Sequence, residues 1–241
     1  MKRTGENAGL KFFWLGIFAI AMGALEAIVV VYLRQIYYPS GFDFPMPLLP
    51  KAMIATEWFR EFTTIVMLAA AGIIAGRSSM RRFAWFLYTF AVWDIFYYVW
   101  LKVLLNWPPS LLTWDVLFLI PVPWVSPVLA PLICSVTMVL ISIRIIMLEE
   151  KGLIVKIRWF EWISVLSGAG IILFTFLRDY AGIIIRGGFL PDFLRLTENR
   201  GFTEIITRFI PARYSWLTFV AGEIIIISAF MIAFIRVKTK R

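Results

Sequence analysis

The chain has 241 residues, of which 61% are hydrophobic and 17% aromatic, and its formal net charge is +9. That apolar share is well above the usual value for a soluble domain, which also could not bury several apolar runs of about twenty residues. The absence of histidine excludes His-ligated haem, zinc sites that contain histidine, and Ser-His-Asp or Cys-His catalysis. The single cysteine, Cys134, excludes an internal disulfide and any CxxC site.

Repeated apolar runs predict an all-α, polytopic membrane protein with six transmembrane helices. The predicted spans are residues 10–33, 52–75, 83–105, 127–147, 159–177 and 214–235, and residues 178–213 form a long polar loop. The first run continues through AIVVVYL, past any plausible cleavage site, so we predict a retained span and not a signal peptide. Residues 1–241 are therefore expected to form a single transmembrane domain.

A proline-rich stretch separates the third and fourth spans. Trp107-Pro108-Pro109 ends the third span, and Pro121 and Pro123 follow shortly afterwards. Ser126-Pro127 is a favourable helix start, because serine can cap free backbone amides and proline suits the first turn. Residues 116–125 are therefore predicted to form a re-entrant or interfacial segment. The alternative is one tilted, kinked helix over residues 116–148.

The distribution of lysine and arginine predicts the orientation. The amino terminus (Lys2, Arg3), the loops 76–82 and 149–158 and the carboxyl tail are all basic, which is typical of the cytoplasmic side. The shorter loops on the opposite side contain little beyond Arg34 and Lys51. We expect both termini in the cytoplasm, residues 178–213 outside, and insertion in the cell (inner) membrane. Basic residues beside spans set topology, so no nucleic-acid partner is predicted.

Charged residues inside the spans predict a polar pocket. A charge at a helix centre costs ~2.5–3.5 kcal/mol on insertion scales, so these side chains are expected to face each other or water. Glu57 and Glu61 lie one helical turn apart, where like charges disfavour simultaneous ionisation and favour a proton on one of them, unless Arg60 or Lys102 compensates. Glu161, at the inner end of its span, is expected to be solvated. The candidate ligand- or proton-binding residues, in an outward-facing cavity, are Glu26, Glu57, Arg60, Glu61, Asp94, Tyr98, Lys102 and Glu223.

Three functions are compatible with this pattern. The first is binding or transport of a small polar or amphipathic ligand from the outer side, linked to protons or ions. The second is an intramembrane acid/base enzyme acting on a lipid-like or quinone-like substrate, with Glu57, Glu61 or Asp94 as acid or base and Tyr98 as donor. The third is a non-catalytic membrane subunit of a larger complex, whose buried charges only hold its helices together while its long outer loop binds a partner.

Sequence motifs favour the first function. The chain has no Walker loop, no GxGxxG and no HExxH, and no pattern of an activated nucleophile or of metal ligands, which disfavours an enzyme. The expected partners are the lipid bilayer and a small ligand, with a homo-oligomer or a partner subunit also compatible. Neither a metal site nor a particular cofactor is predicted.

Overall fold

The computed structural model describes residues 8–239, except for the side chains of Leu194, Thr197, Lys238 and Thr239. In this part of the chain, six helices are long and apolar enough to cross a membrane. These six are α1 (Ala8–Tyr37), α2 (Lys51–Ala75), α3 (Ser79–Leu105), α4 (Leu129–Glu150), α5 (Trp159–Arg186) and α7 (Trp216–Ile235). A short helix, α6 (Arg200–Ile206), lies between α5 and α7. A 3₁₀ helix, Leu190–Glu198, precedes α6. The prediction of an all-α polytopic membrane protein with six spanning helices is confirmed. Lys2 and Arg3, which support the predicted orientation, lie outside the described residues.

Helix α5 is longer than its predicted span of 159–177. It continues to Arg186, so the first part of the predicted loop 178–213 is helical. Charged residues make this part look polar in the sequence, but Tyr180 and Ile184 lie one turn apart on the same face and are both buried. Packing of this apolar face therefore stabilises the extra turns.

The proline-rich stretch forms a β-hairpin. Strand β1 (Trp114–Phe118) pairs antiparallel with β2 (Trp124–Pro127), and Val116 lies opposite Val125. Pro121 and Pro123, which have no N–H to donate, lie in the connection between the strands. The segment predicted to be re-entrant or interfacial is thus a hairpin, and the alternative of one long kinked helix is wrong, because α4 begins only at Leu129.

Consecutive spanning helices run in opposite directions, which gives the bundle two different ends. The hairpin end contains the hairpin, the carboxyl ends of α1, α3 and α5 and the amino ends of α2, α4 and α7. The opposite end, here the terminal end, contains a second small antiparallel pair, β3 (Leu153–Ile154) with β4 (Lys238–Thr239). Arg81 at the terminal end pairs with Glu149 at 2.9 Å.

Glu161 corrects one expectation from the sequence. It lies at the terminal end as predicted, but it is only 1% exposed. Its carboxylate accepts a 2.6 Å hydrogen bond from the backbone N–H of Arg158 and pairs with Arg236. The residue is buried because it caps the free amides at the start of its own helix and is covered by the chain that follows α7.

Helix α3 is central: it packs against α1, α2 and α4, while α5 pairs with α7. Glycines allow close approach of the backbones, and a Cβ placed on Gly168 of α5 would lie 2.7 Å from the carbonyl oxygen of Gly222 in α7. Small residues at such crossings are typical of helix packing in membranes. Large apolar side chains such as Phe59, Leu217 and Ile235 remain exposed on the outside of the bundle, as expected for a surface that contacts lipid.

Candidate functional site

A cavity of about 110 Å³ lies at the hairpin end, lined by α1, α2, α3, β1 and the segment between α1 and α2. We call it the charged cavity. Six of the eight predicted site residues line it, namely Glu26, Glu57, Arg60, Glu61, Asp94 and Tyr98. Two further charged residues, Arg34 and Asp115, also line it, as do Tyr37, Tyr38 and Tyr97.

Arg60 links α2 to α1. Its guanidinium donates to Glu57, one turn earlier in α2, at 2.8 Å, and it also pairs with Glu26 of α1. The hydroxyl of Thr64 donates to the same Glu26 at 3.3 Å. Because α1 and α2 otherwise contact each other little, these polar contacts are the main link between the two helices.

Glu61 connects α2 to the hairpin. Both of its carboxylate oxygens accept from the backbone N–H of Leu119, at 2.9 and 3.0 Å. One turn earlier, the indole N–H of Trp58 donates to the carbonyl oxygen of Leu119 at 2.8 Å. Both backbone polar groups of Leu119, just after β1, are thus satisfied by side chains of α2.

Arg34 and Asp115 form a buried ion pair that the sequence did not predict. Their side chains are 8% and 2% exposed, and their charged atoms are 3.2 Å apart. The guanidinium carbon of Arg34 also lies 3.8 Å from the ring centre of Trp107 and 4.3 Å from that of Phe42. Sequence reasoning placed Arg34 in a loop because the apolar run ends at Leu33. The available signal was a lone arginine between an apolar span and an aromatic loop.

The surroundings of Asp115 act on its pKa in opposite directions. Burial raises the pKa above the usual range of an aspartate, while Arg34, the N–H of Val116 and the hydroxyl of Tyr98 each act to lower it. The Tyr98 hydroxyl donates to Asp115 at 3.2 Å. Burial likewise raises the pKa of Tyr38, which follows the last turn of α1.

Asp94 and Glu61 differ from the other carboxylates of the cavity. Asp94 accepts a 2.7 Å hydrogen bond from the hydroxyl of Ser135 in α4. Neither Asp94 nor Glu61 forms a salt bridge with a described residue. The five carboxylates that line the cavity face two arginines, which leaves an excess of three carboxylates when all are ionised. Such an excess in a buried site is balanced by protons, by a cation or by a cationic ligand.

Lys102 and Glu223 do not line the charged cavity. The ammonium of Lys102 donates to the carbonyl oxygens of Asn106 and Pro108, at 3.3 and 3.1 Å, beyond the end of α3. Glu223 lies in α7 and accepts from the hydroxyl of Thr137 in α4 at 2.8 Å. Helix α7 packs on α5 and α4, so its glutamate faces another part of the bundle.

Apart from Nη1 of Arg60, which pairs with Glu26, two side-chain donors that line the cavity have no hydrogen-bond partner among the described residues. They are Nη1 of Arg34 and the indole N–H of Trp93, and both side chains are more than nine-tenths buried. A buried donor without an acceptor is costly. An oxygen atom of a bound ligand would satisfy either of them.

Fold and cavity together define a polytopic helical membrane protein with a charged cavity at one end of its bundle. Comparison with models of protein families, with curated proteins and with solved structures gave no match to this chain.

Proposed function

We propose that the protein binds a small polar ligand with a cationic group in the charged cavity and carries it into or across the membrane. One observation supports this above all: five carboxylates and two arginines line a single cavity within a bundle of apolar helices. Ionisable groups at membrane depth that share one cavity are typical of ligand, ion and proton pathways. Their negative excess suits an ammonium group.

The proposed entry is from the outer side. The cavity lies at the hairpin end, whereas the two short loops rich in lysine and arginine, 76–82 and 149–158, lie at the terminal end, and the positive-inside rule favours the cytoplasm for such loops. In this proposal, the hairpin and residues 187–215 lie at the outer face of the cell (inner) membrane.

Proton linkage is part of the proposal. Asp94 and Glu61 have no salt-bridge partner among the described residues, so a proton and a ligand ammonium compete to neutralise them. Ligand binding should therefore weaken as the outer pH falls, and an amide in place of Glu61 should reduce that dependence.

Thermal unfolding in detergent tests the proposal. Methylammonium, ethanolamine and putrescine are compared with acetate and glycerol, and a ligand present at a hundred times its Kd should stabilise the fold by about 2.7 kcal/mol. Asp94→Asn should remove the stabilisation by ammonium ions. Glu223→Gln is the matched control, because Glu223 is also a buried membrane carboxylate but lies outside the cavity. Equal stabilisation of both variants, or none of the wild type by any ammonium ion, contradicts the proposal.

A second candidate, a membrane subunit whose charges are purely structural, has one observation in its favour. Arg60 pairs with both Glu57 and Glu26, and Arg34 pairs with Asp115, so most of the charges have partners within the chain. For such a subunit, changes at Asp94 or Glu61 lower the unfolding temperature, and no added cation stabilises the wild type.

A further inference from the structure

A second cavity, of about 290 Å³, adjoins the charged cavity. We call it the apolar groove. It lies between the first turns of α2, the hairpin connection and the segment around α6, and its walls include Leu48, Ile54, Trp58, Val122, Phe193 and Phe202. Met46, Leu49 and Leu119 line both cavities, so the two share a wall.

The lining changes from charged to apolar between the two sides of Leu119. Glu61 binds the backbone N–H of Leu119 on the side of the charged cavity. Trp58, one turn earlier in α2, binds the carbonyl oxygen of Leu119 and lines the apolar groove. One end of a molecule that lies across Leu119 would thus contact the carboxylate of Glu61, and its other end would contact the apolar groove.

We propose that the ligand of the charged cavity is an amphipathic lipid, with an ammonium-bearing headgroup in that cavity and its chain in the apolar groove. This inference rests on the proposed function and extends it by naming the class of ligand.

The headgroup is deduced from the charges and the free donors. The excess of carboxylates favours an ammonium group. Nη1 of Arg34 and the indole N–H of Trp93, which have no acceptor among the described residues, each favour an oxygen acceptor in the ligand. A phosphoethanolamine group offers both. A phosphoglycerol group offers only the oxygens and adds negative charge.

The chain is deduced from the groove. Its walls are apolar apart from Lys51, which pairs with Glu198, and the hydroxyl of Tyr180, which donates to the sulfur of Met46 at 3.2 Å. Leu48 and Trp58 in these walls are 48% and 37% exposed, so the groove presents apolar surface that nothing in the described chain covers. An acyl chain matches this chemistry, and the bilayer supplies it at high concentration.

Binding of three probes to the detergent-purified protein tests this inference. Lysophosphatidylethanolamine carries both parts, phosphoethanolamine only the headgroup, and lysophosphatidylglycerol the same chain without the amine. We expect the first to bind at least about tenfold more tightly than either of the others, a difference of about 1.4 kcal/mol.

Two tryptophan substitutions in α2 distinguish an effect of filling the groove from a general effect of a large side chain on this helix. Ala55 lines the groove, so Ala55→Trp should fill it and reduce the affinity for lysophosphatidylethanolamine to that for phosphoethanolamine, which should itself be unchanged. Ala70 is exposed near the other end of α2 and lines neither cavity, so Ala70→Trp should leave both affinities unchanged.

The outcomes distinguish the inference from the proposed function. Equal binding of phosphoethanolamine and lysophosphatidylethanolamine, or no effect of Ala55→Trp, overturns the inference that the ligand is a lipid. The proposed function would not be affected by either result. Failure of every ammonium-bearing probe to bind overturns both. Conversion of a dimer to a monomer by Ala55→Trp would show that a second copy of the chain occupies the groove. That result also overturns the inference that the ligand is a lipid.

Discussion

At the scale of single residues, the charged cavity depends on carboxylates whose partners come from distant parts of the sequence. Arg34, in the last turn of α1, pairs with Asp115 in β1, and Asp94 of α3 accepts from Ser135 in α4. A buried ion pair contributes little net stability, yet the loss of one partner strands the other. Substitution of one partner should therefore lower the free energy of unfolding more than substitution of both.

The pair of Arg34 and Asp115 gives a prediction that depends on pH. Arg34→Ala should lower the free energy of unfolding by about 3–5 kcal/mol at neutral pH, because it leaves Asp115 buried without a cation. Loss of the cation raises the pKa of Asp115 in the folded state further above its unfolded value. The folded variant then binds a proton preferentially, so its stability should recover as the pH falls through the folded-state pKa towards the unfolded-state value.

The double variant Arg34→Ala, Asp115→Asn is the control for this prediction. With no carboxyl group at position 115, it should be more stable than Arg34→Ala at neutral pH and should lack the recovery in acid. Thermal unfolding of both variants in detergent across acid to neutral pH checks this. Parallel pH profiles of the two variants would show that Asp115 is not the stranded group.

At the scale of elements, two contacts hold the parts of the bundle in place. The hairpin is fixed to α2 through the two hydrogen bonds of Leu119, and α5 is fixed to α7 by the close approach of Gly168 and Gly222. The first contact is polar and shapes the cavity. The second is steric and lies away from it.

The contact between the hairpin and α2 predicts different effects of two substitutions at one position. Glu61→Gln keeps an acceptor for the N–H of Leu119, so the hairpin should stay in place. Glu61→Ala leaves that N–H without its acceptor, at a cost of about 1–3 kcal/mol, and should release the hairpin. Hydrogen exchange at Leu119 measures this, and fast exchange is expected only in the alanine variant. Equal protection in both variants would show that Glu61 does not anchor the hairpin.

The glycine contact predicts a stability difference between two substitutions of one type. In Gly222→Ala, the new Cβ would lie 2.8 Å from the carbonyl oxygen of Gly168, so α5 and α7 must separate. We expect a loss of about 1–3 kcal/mol, as for other overpacked sites. Gly170→Ala, also in a helix but with nothing within 4 Å, should be neutral or slightly stabilising. Equilibrium unfolding in detergent compares them, and similar values for the two would contradict close packing at Gly222.

At the scale of the whole molecule, the two ends of the bundle have different chemistry. Ion pairs between Arg81 and Glu149, and between Arg236 and Glu161, lie at the terminal end. The hairpin end contains the charged cavity and the apolar groove. The proposed orientation, with the terminal end in the cytoplasm, makes both cavities accessible from the outer side.

Cysteine labelling tests that orientation. In a Cys134→Ser background, Arg200→Cys places a thiol in α6, at the hairpin end, and Lys151→Cys places one at the terminal end. A membrane-impermeant maleimide added to intact cells should label the first variant at once and the second only after permeabilisation. Labelling of position 200 only after permeabilisation would reverse the proposed orientation.

The sequence by itself determined the class of protein and the number of spans, because apolar length and buried charge are local properties that any membrane fold must satisfy. It also indicated six of the residues that line the charged cavity, since their depth follows from their distance along each helix. Tertiary structure decided which charges meet. Glu223 is also a carboxylate within an apolar span but lies on a helix that packs elsewhere, and Arg34 pairs with Asp115 across 81 positions. The hairpin, too, depends on pairing between strands and on Glu61 of another helix. Rotation of each helix about its axis and contacts between distant segments arise only when the elements pack, so no local pattern could reveal them.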